Sequence, residues 1–377
     1  MSNDLLLLSA YDAMSHKQWR ERLARMLPEF NWTQIALPPR HHDWRIRGNS
    51  LQWFVEKETT LKQPYSALIA TSMVDLAALR GLVPELAKLP TLLYFHENEF
   101  AYPANSRQRA NIEPMLVPVY SALCADLLVF NSNYNRDTFL AGLKHLFQQL
   151  PDNLADSILE RLPTVNIAPV PLSNISSNAV TKRTHLELLW NHRWEYDKNP
   201  ALLLLVAQKI AALGLPCRIQ VVGQQFKQQP AEFLELKNVL DAHHARQDIT
   251  SGRFGFVEDD AEYQALLQGC HVVLSTALHD FQGLAIMEAI QAGCTPLCPA
   301  ALAYPEYLDA QFLYPIERTM EESADHIVER LQAWLQIFSA GQDLPQASVA
   351  AYSMSNLQCG YRSMITELIK GNCAAPN

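Results

Sequence analysis

Short apolar runs that leave no polar face recur along the first half of the chain, at 4–10, 67–71 (ALIAT), 91–95 (TLLYF), 126–130 (DLLVF) and 165–170. A strand with one face in water alternates apolar and polar side chains, so a strand apolar on both faces has to be covered on both. Stretches of helical period lie between these runs, at 15–27, 73–88, 112–124, 134–149 and 152–161. Strands alternating with helices in this way predict a parallel sheet sandwiched between helices. The character changes at 171–184 (PLSNISSNAVTKRT), where Pro, Ser, Asn and Thr replace apolar residues, and this segment reads as a linker. The alternation then restarts, with strands at 186–190, 218–222, 271–275 and 295–298 and helices at 200–213, 231–245, 261–268, 283–292 and 320–338; the tail 351–370 is again helical. The fold class is therefore α/β, with two Rossmann-like domains over 1–172 and 184–350. A chain of 377 residues has the length for two such domains. Two tandem domains of this class are expected to face across an interdomain cleft at the carboxyl ends of their strands.

Composition removes several function classes. Thirty Lys and Arg stand against 39 Asp and Glu, a net charge of −9, which does not suit a protein that coats nucleic acid non-specifically. A local basic patch stays open. Glycine is scarce, 13 of 377, and neither G-x-G-x-x-G nor G-x-x-x-x-G-K-[ST] occurs, so the dinucleotide fingerprint and the P-loop are absent. The seven cysteines are odd in number and none has C-x-x-C spacing, which suits reduced thiols in a cytoplasmic protein. Leu5 to Leu8 is too short to span a membrane and follows Asp4 with no Lys or Arg before it, so it reads as a buried strand and not as a signal peptide.

Two segments carry the chemistry of the second half. Before 279–293 (HDFQGLAIMEAIQAG) a strand ends at Leu274-Ser275; a loop containing Asp280 follows, and a helix opens near Gly283 with Glu288 inside it. The opening turn of a helix has free N–H groups for phosphate oxygens, and glycine there permits close approach. In 190–200 (WNHRWEYDKNP) Arg193 and Lys198 occupy the loop between a strand and a helix opened by Asn199-Pro200. A guanidinium and an ammonium suit a diphosphate where no metal is used. A surface salt-bridge loop explains the same residues without function. In the first half, His96-Glu97-Asn98 follow directly on LLYF and Asn131-Ser132 follow on LLVF, at strand ends where ligands bind. His96 suits bonding to a sugar hydroxyl or uptake of an acceptor proton, because histidine titrates near neutrality. In residues 38–54 (PPRHHDWRIRGNSLQWF), Arg40, Arg45 and Arg47 interleave with Trp44 and Trp53. That mixture suits a phosphate backbone and a stacked base; an ordinary loop with packed tryptophans is the alternative.

These residues carry a resemblance. Asp280-x7-Glu288 with Gly283, together with Arg193 and Lys198, resembles the donor site of retaining GT-B glycosyltransferases of family 4. SHKQW (15–19), WRIR (44–47), LLYFHENE (92–99), VFNSNYNRDTF (129–139), WNHRWEYDKNP (190–200) and CPAALAYPE (298–306) are together similar to the tRNA-queuosine α-mannosyltransferase family. The resemblance implies a GT-B fold with a C-terminal helix, 351–377, crossing back to the N-terminal domain. It implies retaining transfer of mannose from GDP-mannose to the cyclopentenediol of queuosine in tRNA-Asp, with no cofactor, required metal, membrane or obligate protein partner. Arg193 and Lys198 would hold the diphosphate with the Gly283-Leu284 helix start, and Glu288 the nucleotide ribose. Asp280 stands where the family usually has glutamate, near the sugar; His96, Asp280 and Arg193 form the expected catalytic set. Ala13 and Met14 replace two family glycines, so the side chains of Ser15 and His16 are expected to serve the donor instead of that loop's backbone. Arg40, Trp44, Arg45, Arg47, Glu97, Asn98, Asn131 and Ser132 form the expected acceptor surface, with Arg107 and Arg109 as the next candidates. Two alternatives remain open here: a family 4 enzyme with another nucleotide sugar or acceptor, and a non-catalytic tRNA- or nucleotide-binding module.

Overall fold

The first sheet consists of β1 (Asp4–Ser9), β2 (Asn31–Ala36), β3 (Ala67–Thr71), β4 (Thr91–Phe95), β5 (Leu127–Phe130) and β6 (Thr164–Ile167), in the order β2-β1-β3-β4-β5-β6 and parallel throughout. The second consists of β7 (Leu186–Asn191), β8 (Cys217–Val222), β9 (Phe254–Gly255), β10 (Val272–Leu274), β11 (Thr295–Pro299) and β12 (Leu313–Tyr314), in the order β12-β11-β10-β7-β8-β9, also parallel. This computed structural model describes residues 3–102, 112–175, 184–226 and 228–371. Arg107, Arg109 and positions 176–183 of the linker segment lie outside the described residues.

The chain divides into two units, Met1–Ser173 with Tyr352–Asn377, and Asn174–Ala351. In the first, Leu5 to Leu8 are wholly buried in β1, between β2 and β3. The helix Met354–Ile369 belongs to this unit: Tyr361 donates to the carbonyls of Ala168 and Pro169 and accepts from the Trp19 indole. In the second unit, every residue of β7 is buried, and the helices Pro200–Leu213 and Met320–Ser339 pack against each other.

Three strands went unread in the sequence. β2, β9 and β12 all lie at sheet edges, and an edge strand has less apolar cover: NWTQIA in β2 buries only Ile35. The helix expected at 73–88 is two pieces, Leu76–Leu82 and a 3-10 turn Pro84–Lys88, because Pro84 cannot donate to the preceding turn. In residues 38–54 the alternative reading is corrected. Most of the segment is a helix, His42–Leu61, and not the ordinary loop of the alternative reading; it is entered through His41 in the left-handed region at φ 58°.

Candidate active site

The second sheet determines where its site forms. The chain leaves β7 toward β8 and β9, then returns to β10 on the other flank of β7. The loops at the carboxyl ends of β7 and β10 diverge at such a reversal and open a crevice. The loop after β7 contains Arg193 and Lys198, and the loop after β10 contains His279, Asp280 and Gly283.

Those loops are tied together by backbone and side-chain bonds. The Trp190 indole donates to Thr276 Oγ1 (2.9 Å), and that hydroxyl donates to the Lys198 carbonyl (2.7 Å). The Leu278 N–H donates to the Asp197 carbonyl (2.8 Å). Asn199, in the left-handed region at φ 51°, caps the helix Pro200–Leu213 and turns Lys198 inward. The Lys198 ammonium is 7% exposed, donates to the His279 carbonyl (2.5 Å) and lies 3.4 Å from Asp197 and 3.7 Å from Asp280. Arg193, farther out and 44% exposed in its side chain, pairs with Glu195 (2.7 Å) and Asp197 (3.5 Å). A buried cation thus stands beside an exposed one at the carboxyl end of β7, an arrangement of charge that could serve an anion.

Asp280 anchors the other wall. One carboxylate oxygen accepts from the Gly283 N–H (2.9 Å) and the other from the Tyr304 hydroxyl (3.0 Å). Burial, the largest single influence, pushes its carboxyl up, but Lys198 first, then His192, the Tyr304 bond and His279 together hold it below the usual carboxylate range. The short side chain thus fixes the turn into the helix Leu284–Ala292. Gly283 sits at φ 74°, where a Cβ would meet the Tyr307 hydroxyl at 2.8 Å and the Tyr304 ring at 2.9 Å. The first-turn N–H groups from Leu284 onward have no helical carbonyl to bond and are available to phosphate oxygens. Glu288 lies one turn on, partly buried, near Tyr263; burial first, then the Glu288 charge, pushes that phenol up. Tyr263 accepts from Asn191, which also donates to the Ala285 carbonyl and so locks the helix to the end of β7.

Two residues of this site escaped the sequence reading. His192, 5% exposed, is pushed down to about 3 by burial and then by Lys198, so it is a neutral imidazole at pH 7. Gly223, after β8, sits at φ 151° with the His192 carbonyl 1.7 Å from where its Cβ would be. The glycine lets the loop bearing His192 and Arg193 lie against β8. RIQVV-G in a glycine-poor chain was the available signal.

In the first unit, the loops after β1 and β3 diverge at the corresponding reversal, since β2 lies on the other flank of β1. His16, inside the helix Met14–Met26, is 3% exposed and stacks on His96 with ring centroids 4.0 Å apart. Trp19 and Tyr94 present ring edges to His96. Burial pushes both imidazoles down; Glu97 and Asp12 oppose this at His16, and His16 adds to it at His96. His96 Nε2 and His16 Nδ1 have no hydrogen-bond partner. Ser15 occupies the first turn of the same helix, partly buried, with Ala13 rather than a side-chain oxygen at the cap.

The expected acceptor residues divide. Asn98 donates to Asn135 and Thr138 and accepts from the N–H groups of Phe100 and Ala101. Asn131 donates to the His96 carbonyl, and Ser132 caps the helix Asn133–Gln149. These bonds give all three a part in holding His96 and the 96–101 loop. Arg45 is 4% exposed and bonded to Gln52, and Arg47 pairs with Asp75 (3.0 Å) and Glu113 (2.7 Å). The Arg45 guanidinium is thus withdrawn from solvent, whereas the Arg47 side chain is 53% exposed but already paired with two acids, and Trp53 is wholly buried. Arg40 and Trp44 are exposed; the Trp44 indole lies over Gly48, where a Cβ would meet it at 2.2 Å. Glu97 accepts from the Tyr102 hydroxyl (2.9 Å).

Comparison with known proteins places this geometry. Residues 4–167 match the family described as tRNA-queuosine alpha-mannosyltransferase N-terminal. Among curated proteins, the chain is similar to the tRNA-queuosine alpha-mannosyltransferase of Drosophila melanogaster, 29% identical over 322 residues that cover 82% of this chain and 83% of that protein. Among solved structures, the sucrose-phosphate synthase of Thermosynechococcus elongatus aligns with a TM-score of 0.69 at 12% identity, covering 98% of this chain and 99% of that one. Anabaena HepE in complex with UDP-glucose aligns with a TM-score of 0.61 at 13% identity, covering 97% and 99%. The solved structures carry the fold, and the sequence matches carry the class. The chain is a glycosyltransferase of GT-B fold, similar to the tRNA-queuosine alpha-mannosyltransferases, whose N-terminal family it matches over residues 4–167.

Proposed function

We propose that this glycosyltransferase moves mannose from GDP-mannose, with retention, to the cyclopentenediol of queuosine in tRNA-Asp. The observation that carries the reading is the cradle of Lys198, Arg193 and the Leu284–Ala292 helix start, in a chain similar to the Drosophila enzyme of that name. Charge developing on the leaving diphosphate would be met by the two cations and the helix N-terminus. Glu288 would bond the ribose. His96, neutral and held by the scaffold asparagines, would bond the sugar or the attacking hydroxyl. In this reading Asp280 acts as a positioning residue, since both its oxygens serve the turn around Gly283. The enzyme would work in the cytoplasm; among the described residues no helix is long and apolar enough to cross a membrane.

Incubation with GDP-mannose and queuosine-containing tRNA-Asp should yield mannosylated queuosine, whereas UDP-sugars and queuosine-free tRNA should yield none. A binding module without catalysis would take up GDP-mannose and release no GDP. Metal is not required in this reading, because the leaving group already meets two cations. EDTA should leave the initial rate unchanged; loss of activity restored by Mg²⁺ or Mn²⁺ would contradict it.

The tRNA surface is assigned to Arg40 and Trp44, which are exposed; Arg47 is exposed as well but is paired with Asp75 and Glu113. Arg40→Ala should weaken tRNA binding and lower the slope of log K against log salt by about 0.7–0.9, the effect of one phosphate contact. Affinities measured at two salt concentrations check this, and an unchanged slope would move the surface elsewhere.

A further inference from the structure

The His96 imidazole, directly after β4, is enclosed by three other rings. His16 stacks on it at 4.0 Å and 18°, while Trp19 (5.1 Å, 86°) and Tyr94 (4.7 Å, 60°) meet it edge to face. All four residues are buried. Trp19 lies three residues on from His16 in the helix Met14–Met26, on the same face, so whatever fixes the indole also fixes that histidine. The indole stacks on Tyr94 (4.2 Å, 25°) and donates its N–H to the Tyr361 hydroxyl (3.2 Å). Tyr361 comes from the helix Met354–Ile369, 342 residues further along the chain. Its hydroxyl faces the carbonyls of Ala168 (3.0 Å) and Pro169 (2.9 Å), and the Tyr94 hydroxyl, which donates to Ala168 (2.7 Å), lies 3.4 Å away. The same C-terminal helix holds the end of the helix Met14–Met26, where Gln358 donates to the Met26 carbonyl (2.6 Å), and Arg362 pairs with Glu29 just beyond (2.5 Å).

We propose that Tyr361 is a positioning residue for the first unit's site, holding the His16–His96 stack in register through the Trp19 indole. Its consequence for catalysis rests on the reading above that His96 meets the sugar or the attacking hydroxyl. Filling a core needs only the volume of the rings. A buried polar hub whose members are bonded to one another adds direction, and here it fixes the plane of Trp19 and with it both imidazoles. The C-terminal helix thus takes part in building the site without supplying a ligand group. Loss of the Tyr361 hydroxyl would leave the buried indole N–H without its acceptor, and a shift of Trp19 or entry of water would be the relief. Either loosens the enclosure of His96. Burial, then His16, hold the His96 imidazole well below its usual range. Among the described residues, His16 faces it from the helix Met14–Met26 and Tyr94 from its own strand, with Glu97 and Asp12 beyond His16. Less burial disfavours the charged form less, so a loosened enclosure moves the His96 titration up.

The test compares wild type with Tyr361→Phe, Trp19→Phe and Arg362→Ala in the full chain. The first two break one bond from its two ends, and the third cuts an exposed tie of the same helix as a control. Imidazole NMR signals of His16 and His96, assigned with His16→Gln and His96→Gln, are followed against pH, with mannosyl transfer to queuosine-containing tRNA measured in parallel. Tyr361→Phe and Trp19→Phe should each shift both sets of signals and raise the His96 midpoint. Each should lower kcat by about tenfold or more with KM for the donor unchanged, as about 1 Å of misplacement costs roughly a hundredfold. The double variant should be no worse than the more severe single one, because both remove the same bond. Arg362→Ala should match wild type throughout. Melting curves check that each variant folds, and Trp19→Phe reads the bond if Tyr361→Phe does not fold. Unchanged His16 and His96 signals in a folded Tyr361→Phe protein, or the same shift in Arg362→Ala, would overturn the proposal. Shifted signals with kcat unchanged, or with no mannosyl transfer by wild type, would leave the positioning standing and overturn the role given to His96 in the functional reading.

Discussion

Lys198→Met should lower kcat/KM by about a thousandfold, the upper range for removing one preorganised donor that faces developing charge. Lys198 is the buried cation of the cradle, held against the His279 carbonyl and between Asp197 and Asp280. Methionine keeps much of the stem's volume and removes the charge. Two acids then face the crevice without their partner and repel the phosphates that the ammonium would attract. Breaking a buried pair also costs about 3–5 kcal/mol of stability, so the substitution is read together with a melting curve and the affinity for GDP. Arg193→Ala removes an exposed guanidinium and should cost about 2–4 kcal/mol of transition-state stabilisation with little change in melting. Wild-type turnover in a folded Lys198→Met protein would remove Lys198 from the leaving-group site.

Gly223→Ala should destabilise the second unit by about 2–6 kcal/mol, combining a left-handed backbone with an overpacked contact. The contact is with backbone, the His192 carbonyl at 1.7 Å, so no rotamer change relieves it. The loop would have to move, and Arg193 with it. Gly293 supplies the control: it sits at φ 110° with nothing within 4 Å of a Cβ, so Gly293→Ala incurs the conformational cost alone. Urea unfolding of both variants, with GDP affinity in parallel, separates the two contributions. Equal midpoints for the two variants would show that the 1.7 Å approach is not a constraint on the loop.

The central strands were legible because they are apolar on both faces, and β3 and β4 occupy the residues read from ALIAT and TLLYF. The edges were not legible: Asn31–Ala36 has polar residues where a central strand would have apolar ones. The two charged segments of the second half do come together, with Arg193, Lys198, Asp280 and Gly283 at the ends of β7 and β10. Sequence could not show that Asp280 is turned back onto Gly283, because that depends on Tyr304, 24 residues away in the chain. Nor could it separate ligand groups from scaffold among the polar residues after β4 and β5. Asn98, Asn131 and Ser132 stand at strand ends by position, and their bonds to Asn135 show only when the chain is folded. The basic segment misled for a related reason, since Asp75 and Glu113, which pair with Arg47, lie far along the chain.

The central claim, that this glycosyltransferase mannosylates queuosine in tRNA-Asp, is tested most directly by mass spectrometry of queuosine nucleosides. These would be isolated from the tRNA of cells with and without this protein. The account predicts hexosylated queuosine in tRNA-Asp when the protein is present, and unmodified queuosine at the same position when it is absent. Identical nucleoside profiles in the two would contradict it.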